Sequence, residues 1–166
     1  VTVVVDSDRR WDIMRNHTAT HLLQAALRTV LGPHIKQQGS LVAEERLRFD
    51  FTHPQALTPK EWKIIEELVN SYIMACDSVK KTTMPLKEAR ETGALAFFAE
   101  KYGDAVRVVS VNGYSKELCG GTHLNFTGQI GIFKIVSESA VAQGIRRIEA
   151  LTGQAALPFI LERDSQ

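Results

Sequence analysis

Apolar residues recur at helical spacing early in the chain, at Ile13, Leu22, Leu23, Ala26, Leu27 and Val30. Asp6-Ser7-Asp8 offers a cap ahead of them, and Gly32-Pro33 a stop. The pattern predicts a long helix from about Arg9 to Leu31. Leu47-Arg48-Phe49-Asp50-Phe51 alternates strictly and predicts a strand with Leu47, Phe49 and Phe51 on one face. Short strands are expected over 34–38 and 41–43, on either side of Gly39. Thr58-Pro59-Lys60-Glu61 combines an N-cap, a proline at the first position and a glutamate at the third. Trp62, Ile65, Leu68, Val69, Tyr72 and Ile73 then keep helical spacing to about Cys76.

Beyond it, 78–86 reads as a strand, 85–92 as a short helix stopped by Gly93, and 95–102 as an apolar helix. Val106 to Val111 reads as a strand followed by an Asn112-Gly113 turn. Strands are expected over 130–137 and 145–152, joined by the small-residue segment 138–144, and a last helix over 153–162. The β-branched start, Val1 to Val5, reads as one further strand. A long helix, strands, a second helix and then more strands argue for an α+β fold, with a mostly antiparallel sheet and helices on one side.

At 166 residues the chain is one domain or a compact fragment. A net charge of +1 excludes a uniformly basic surface, so any nucleic-acid contact must be a local patch. The local basic pairs are Arg9-Arg10, Lys80-Lys81 and Arg146-Arg147. No stretch has the length and apolarity of a transmembrane helix, and no signal peptide is recognisable. Two cysteines, Cys76 and Cys119, make no disulfide framework and point to a reducing cytosol. The start lacks Met, which suggests a piece of a longer chain.

His17 and His21 are one turn apart on the first helix and share a face with Thr20 and Gln24. Two imidazoles so placed can begin a metal site, although a polar helix face explains them equally well. Thr18 stands where a metalloprotease HExxH motif needs Glu, which excludes that class. Cys119-Gly120-Gly121-Thr122-His123 repeats the four-residue spacing. Each glycine weakens a helix by about 1 kcal/mol, so this segment reads as a loop entering a strand. Together the two pairs form a three-histidine, one-cysteine donor set suited to zinc. Four protein ligands close a tetrahedral ion; a displaced one would leave room for water. His34 and His53, each beside a proline, read as surface residues.

These motifs occur together in a known order. Asn16-His17-Thr18-Ala19-Thr20-His21-Leu22-Leu23, Gln37-Gln38-Gly39-Ser40-Leu41-Val42, Leu47-Arg48-Phe49-Asp50-Phe51, Glu117-Leu118-Cys119-Gly120-Gly121-Thr122-His123 and Gly144-Ile145-Arg146-Arg147-Ile148-Glu149-Ala150 resemble the editing domain of bacterial alanyl-tRNA synthetase. AlaX-type trans-editing proteins and the threonyl-tRNA synthetase editing domain are similar over the two metal-ligand motifs. Ala99 departs from the family, which carries Gly there.

The resemblance implies a two-layer α+β fold with a long central helix. The editing domain would span 9–153, with 1–8 ending a preceding barrel or linker and 154–166 leading to a following domain. It implies an aminoacyl-tRNA hydrolase within an alanine–tRNA ligase of the cytoplasm. The reaction would release serine or glycine from the 3′ end of mischarged tRNA(Ala). Zinc would be held by His17, His21, Cys119 and His123, and the substrate pocket formed by Thr20, Gln37 and Ser40.

Backbone amides at Gly120 and Gly121 could stabilise an oxyanion. Arg146 and Arg147 are candidates for phosphate contact, or equally for an ion pair within the sheet. Cys119 is open between ligand and nucleophile. Two other readings remain beside this one: a free-standing trans-editing hydrolase, and a structural-zinc module that binds tRNA without hydrolysing it.

Overall fold

The computed structural model describes residues 1–96 and 103–164. Helix α1 (Ser7–Leu31) runs through the centre of the molecule. The Asp6 side chain caps it by accepting from the Arg9 N–H at 3.1 Å. It ends where Gly32 takes a φ of 121° and its N–H returns to the Arg28 carbonyl. From Ala19 to Leu27 every residue is buried, polar and apolar alike, because α1 is covered on several sides. It touches α2 (Pro59–Ala75), β1 (Gln37–Val42), β2 (Leu47–Thr52), β5 (Ser115–Leu118) and β7 (Ile145–Thr152). The Thr58 capping box forms at the start of α2 as its sequence requires.

A four-stranded sheet has the order β1-β2-β7-β6, where β6 is Phe133–Ala142. A three-stranded sheet has the order β3-β4-β5, where β3 is Val79–Pro85 and β4 is Ala105–Val111. All strand pairs in both sheets are antiparallel. The short helix α3 (Leu86–Glu91) follows β3, and α4 (Gly153–Asp164) follows β7. The fold is therefore α+β, and the four-stranded sheet and α2 share one core through α1. Leu22, Leu23, Leu27, Phe49, Phe51, Ile65, Val69, Phe133, Ile135 and Ile148 all belong to it. A smaller cluster, Ala89, Val106, Val108 and Leu118, lies between α3 and the second sheet.

Several expectations are corrected. Val1 to Val5 carries no regular structure and is exposed. β-branched composition alone does not make a strand without a neighbour to pair with. The two short strands around Gly39 are one strand, β1, with an irregular register between Gln37 and Gly39. Glycine there lets the strand bend and continue. Strand β6 begins later than expected and runs on through the small residues to Ala142. It pairs with β7 across a tight turn at Gly144, where φ is 72°. Pairing, not side-chain pattern, defines that half of the strand.

The 119–123 segment leaves strand β5 rather than entering a strand. Leu95, expected to be helical, forms a parallel bridge with Glu117. The rest of that expected helix, with Ala99, falls largely at 97–102, outside the described residues. His53 is buried, not on the surface. Its N–H donates to the Gly144 carbonyl, and its Nδ1 lies 3.0 Å from His34 Nε2. Burial, and secondly His34, hold its pKa below the usual histidine value.

Asn16 ties α1 to the four-stranded sheet. Its buried amide donates to the Ala43 carbonyl at 2.7 Å, and its oxygen accepts from the Thr152 hydroxyl at 2.7 Å. Truncation removes the partner of the buried Thr152 hydroxyl on β7 and of the Ala43 carbonyl just past β1, at about 1–3 kcal/mol. Asn16→Ala is expected to lower stability by that amount in denaturant unfolding. A loss below about 0.5 kcal/mol, the ordinary range for surface changes, would contradict this role.

Candidate metal centre

Helix α1 and the loop after β5 meet at four side chains. His17, His21, Cys119 and His123 place one donor atom each within 4.8 Å of all the others. Cys119 Sγ lies 3.3 Å from His17 Nε2 and 3.2 Å from His123 Nε2. A tetrahedral ion bonded at about 2.0–2.3 Å keeps its donors roughly 3.3–3.6 Å apart. The cluster therefore needs little movement to close on a metal ion.

Local structure explains the convergence. The Asn112-Gly113 turn, both residues at positive φ, folds β5 back along β4. Along β5 the inward parity runs Ser115, Glu117 and then Cys119. Arg107 on β4 holds the loop: its own carbonyl accepts from the Cys119 N–H, and its guanidinium donates to the Cys119 and Gly121 carbonyls. A Cβ at Gly121 would overlap Cε1 and Nδ1 of the His17 ring, so only glycine fits there. Gly120 faces open space.

Two partners orient the imidazoles from behind. Glu117 Oε2 lies 2.7 Å from His21 Nδ1, a close charge contact between two buried side chains. Thr18 Oγ1 lies 3.1 Å from His123 Nδ1 and accepts from the Leu124 N–H at 3.1 Å. Both leave Nε2 of their histidine facing the cluster, as metal-ligating histidines require.

The electrostatics suit a cation. Burial alone would raise the Cys119 pKa, but hydrogen bonds from His123, His17 and His21 outweigh it and bring the thiol down to about 3. Burial also disfavours a charged His21, yet Glu117 and Cys119 together outweigh it and push that pKa up to about 10. His123 is lowered to about 4, by burial first and then by its histidine neighbours, against the pull of Cys119. The result is a thiolate, a neutral imidazole and a proton on His21 where an ion could sit.

The remaining candidates are placed as follows. Thr20 is buried between the two helix histidines, and its hydroxyl donates to the Asn16 carbonyl at 2.8 Å. Its oxygen keeps lone pairs with which to accept. Gln37 and Ser40 lie on the edge strand β1, where the Gln37 amide donates to the Ser40 hydroxyl at 3.0 Å. Their observed contact is with each other and not with the four-residue cluster. Arg146 pairs with Glu138, and Arg147 holds Asp50 through two bonds of 2.7 and 2.8 Å directly across β2 and β7. Sequence reasoning missed Thr18, Arg107 and Glu117. Glu117 alone carried a signal, since it stands two residues before Cys119.

Comparison with known proteins places the chain beside one group of relatives. Residues 106–149 match the Threonyl and Alanyl tRNA synthetase second additional domain. The chain is 57% identical over 164 residues to the Alanine--tRNA ligase of Clostridioides difficile, covering 99% of this chain and 19% of that protein. It is 60% identical over 165 residues to the Alanine--tRNA ligase of Thermus thermophilus, covering 96% of this chain and 19% of that protein. The resemblance to the alanyl-tRNA synthetase editing domain is thereby borne out. The chain spans about a fifth of the length of these relatives.

Outer-shell partners typically contribute about 10–100-fold to metal affinity. Glu117→Ala is expected to weaken binding of a divalent transition metal by that factor, in competition against a chromophoric chelator. Gly121→Ala is expected to weaken it further by displacing His17. Unchanged affinity in both variants would rule out this assembly as the metal centre.

Proposed function

We propose that this chain is the editing hydrolase of an alanyl-tRNA synthetase. It releases serine or glycine from the 3′ end of mischarged tRNA(Ala) at a zinc site. The observation that carries this reading is the meeting of two histidines from α1 with Cys119 and His123 from a loop about a hundred residues later. Zinc is the ion of choice for a thiolate with three imidazoles. Bound there, it supplies positive charge beside the reacting ester. The hydrolytic unit is placed at 9–153, with 1–8 and 154–166 leading to other parts of a longer cytosolic synthetase. The partners are that synthetase and the acceptor end of tRNA(Ala).

Selectivity follows from hydrogen bonding. A synthetic pocket sized for alanine cannot exclude glycine, and rejects an added hydroxyl only about a hundredfold. A second site must accept serine and refuse alanine. Thr20 donates its own proton to Asn16, so it would read the serine hydroxyl as an acceptor. Alanine leaves that acceptor unpaired in a buried place. Gln37, held by Ser40, is the second reader. The ester is already activated, so hydrolysis needs a positioned water and donors for the developing oxyanion. The backbone amides of Gly120 and Gly121 are the nearest candidates for those donors.

Cys119 is read as a ligand and not as a nucleophile, because coordination occupies its thiolate. Arg146 and Arg147 would reach phosphate only through donors not taken by Glu138 and Asp50. One feature favours a second reading. Four protein donors close a tetrahedral ion, as in structural zinc sites. A structural-zinc module would bind tRNA(Ala) without cleaving the ester.

The test is release of serine from Ser-tRNA(Ala) beside Ala-tRNA(Ala). Selective serine release is expected. No release from a folded chain that binds the tRNA would favour the structural module. Thr20→Val is expected to slow serine release at least about tenfold, a loss of about 1.4 kcal/mol, and to spare glycine release. Equal losses on both esters would remove Thr20 as the reader.

A further inference from the structure

One turn beyond His21, α1 presents Gln24 to a cavity of about 380 Å³ between α1 and β5. That volume lies within the range of small-molecule sites. Gln24 is 1% exposed, yet neither its amide nitrogen nor its amide oxygen has a hydrogen-bond partner among the described residues. The hydroxyl of Ser115, also on the cavity wall and 5% exposed, is likewise unpartnered among them. The Tyr114 hydroxyl on the same wall has no partner among them either, and buried polar groups are almost always paired in native proteins, so three unpaired side chains on one cavity mark a place prepared for a ligand.

The lining specifies that ligand. An amide presents a donor and an acceptor side by side, the pattern that pairs in two bonds with a nucleobase edge. Arg28 and Lys116 supply positive charge on the wall. The Arg28 guanidinium is fixed by donating to the Pro33 and Ile35 carbonyls at 3.0 and 2.8 Å. Lys116 also lines a second cavity of about 510 Å³ that contains Lys80, so basic side chains continue past the first opening. Glu117, the carboxylate on the wall, is directed at His21. The charge left for a ligand is positive, which favours a phosphate over a free amino acid.

We propose that the Gln24 cavity is a nucleotide subsite, with Gln24 and Ser115 on the base and Lys116 and Arg28 on the phosphate. It would seat a nucleotide of the RNA strand whose end reaches the metal centre, and in that respect it rests on the editing reading. The two sites are neighbours: Glu117 lines the cavity and touches the metal-ligand candidate His21 from behind.

The experiment measures dissociation constants of 5′-AMP, 5′-CMP and inorganic phosphate for the intact chain by calorimetry, together with serine release. Gln24→Met fills similar space and breaks no existing hydrogen bond. It is expected to keep the melting temperature and metal content while weakening nucleotide binding at least tenfold. Lys116→Gln, on the partly exposed wall, is the second variant and is expected to weaken binding and reduce its salt dependence. Nucleotide binding unchanged in both variants overturns the subsite. So does phosphate binding as tightly as the nucleotides, or a wild-type chain that binds none of them at millimolar concentration. Serine release that is intact and equal in wild type and Gln24→Met removes the subsite and leaves the editing reading standing. Gln24-dependent nucleotide binding without serine release removes the editing reading and supports the subsite.

Discussion

Cys119 and Glu117 put two acidic side chains among three imidazoles in a largely buried space. Such a cluster is costly unless its charges are compensated. A proton on His21 compensates part of it, and a divalent ion in place of that proton would compensate it more fully. The rest of the site is arranged around this requirement. Helix α1 supplies two donors one turn apart, and the β4–β5 hairpin swings the other two against them. Gly121 permits the approach, Arg107 fixes the loop, and Thr18 and Glu117 set the imidazole faces.

The surrounding fold explains why α1 can carry this duty. It is buried continuously from Thr18 to Leu27, and its buried Asn16, Thr18 and Thr20 are each tied to a partner. Asn16 links it to the strands, Thr18 to the metal-site loop, and Thr20 to its own backbone. Gln24 breaks the rule: it is as buried as the others and has no protein partner among the described residues. The neighbouring buried Asn16, Thr18 and Thr20 all have hydrogen-bond partners, which makes that exception informative. The four-stranded sheet and α2 supply the apolar support, and the Asp50–Arg147 pair ties β2 to β7 beneath it.

Much of this was legible in the sequence because it is local. Caps and spacing gave α1 and α2 almost to the residue, and strict alternation gave β2. The four-residue cluster could be read because two pairs at the same spacing use the residue types that zinc prefers. What escaped depends on distant partners. The continuation of β6 through Ser139 and Ala140 exists because β7 lies beside it, and Val1 to Val5 fails as a strand because none of the described strands pairs with it. His53 is buried, and its backbone N–H donates to the Gly144 carbonyl at a turn far along the chain. Glu117 and Thr18 look ordinary until the fold puts them behind the histidines they orient.

The account depends most directly on one cation being shared by α1 and the 119–123 loop. X-ray absorption fine structure of the zinc-loaded chain tests this. The expected shell is one sulfur at about 2.3 Å and three nitrogens at about 2.0–2.1 Å. A shell without sulfur, or one of oxygen donors alone, would mean that Cys119 and the helix histidines do not bind one ion together, and would contradict the account.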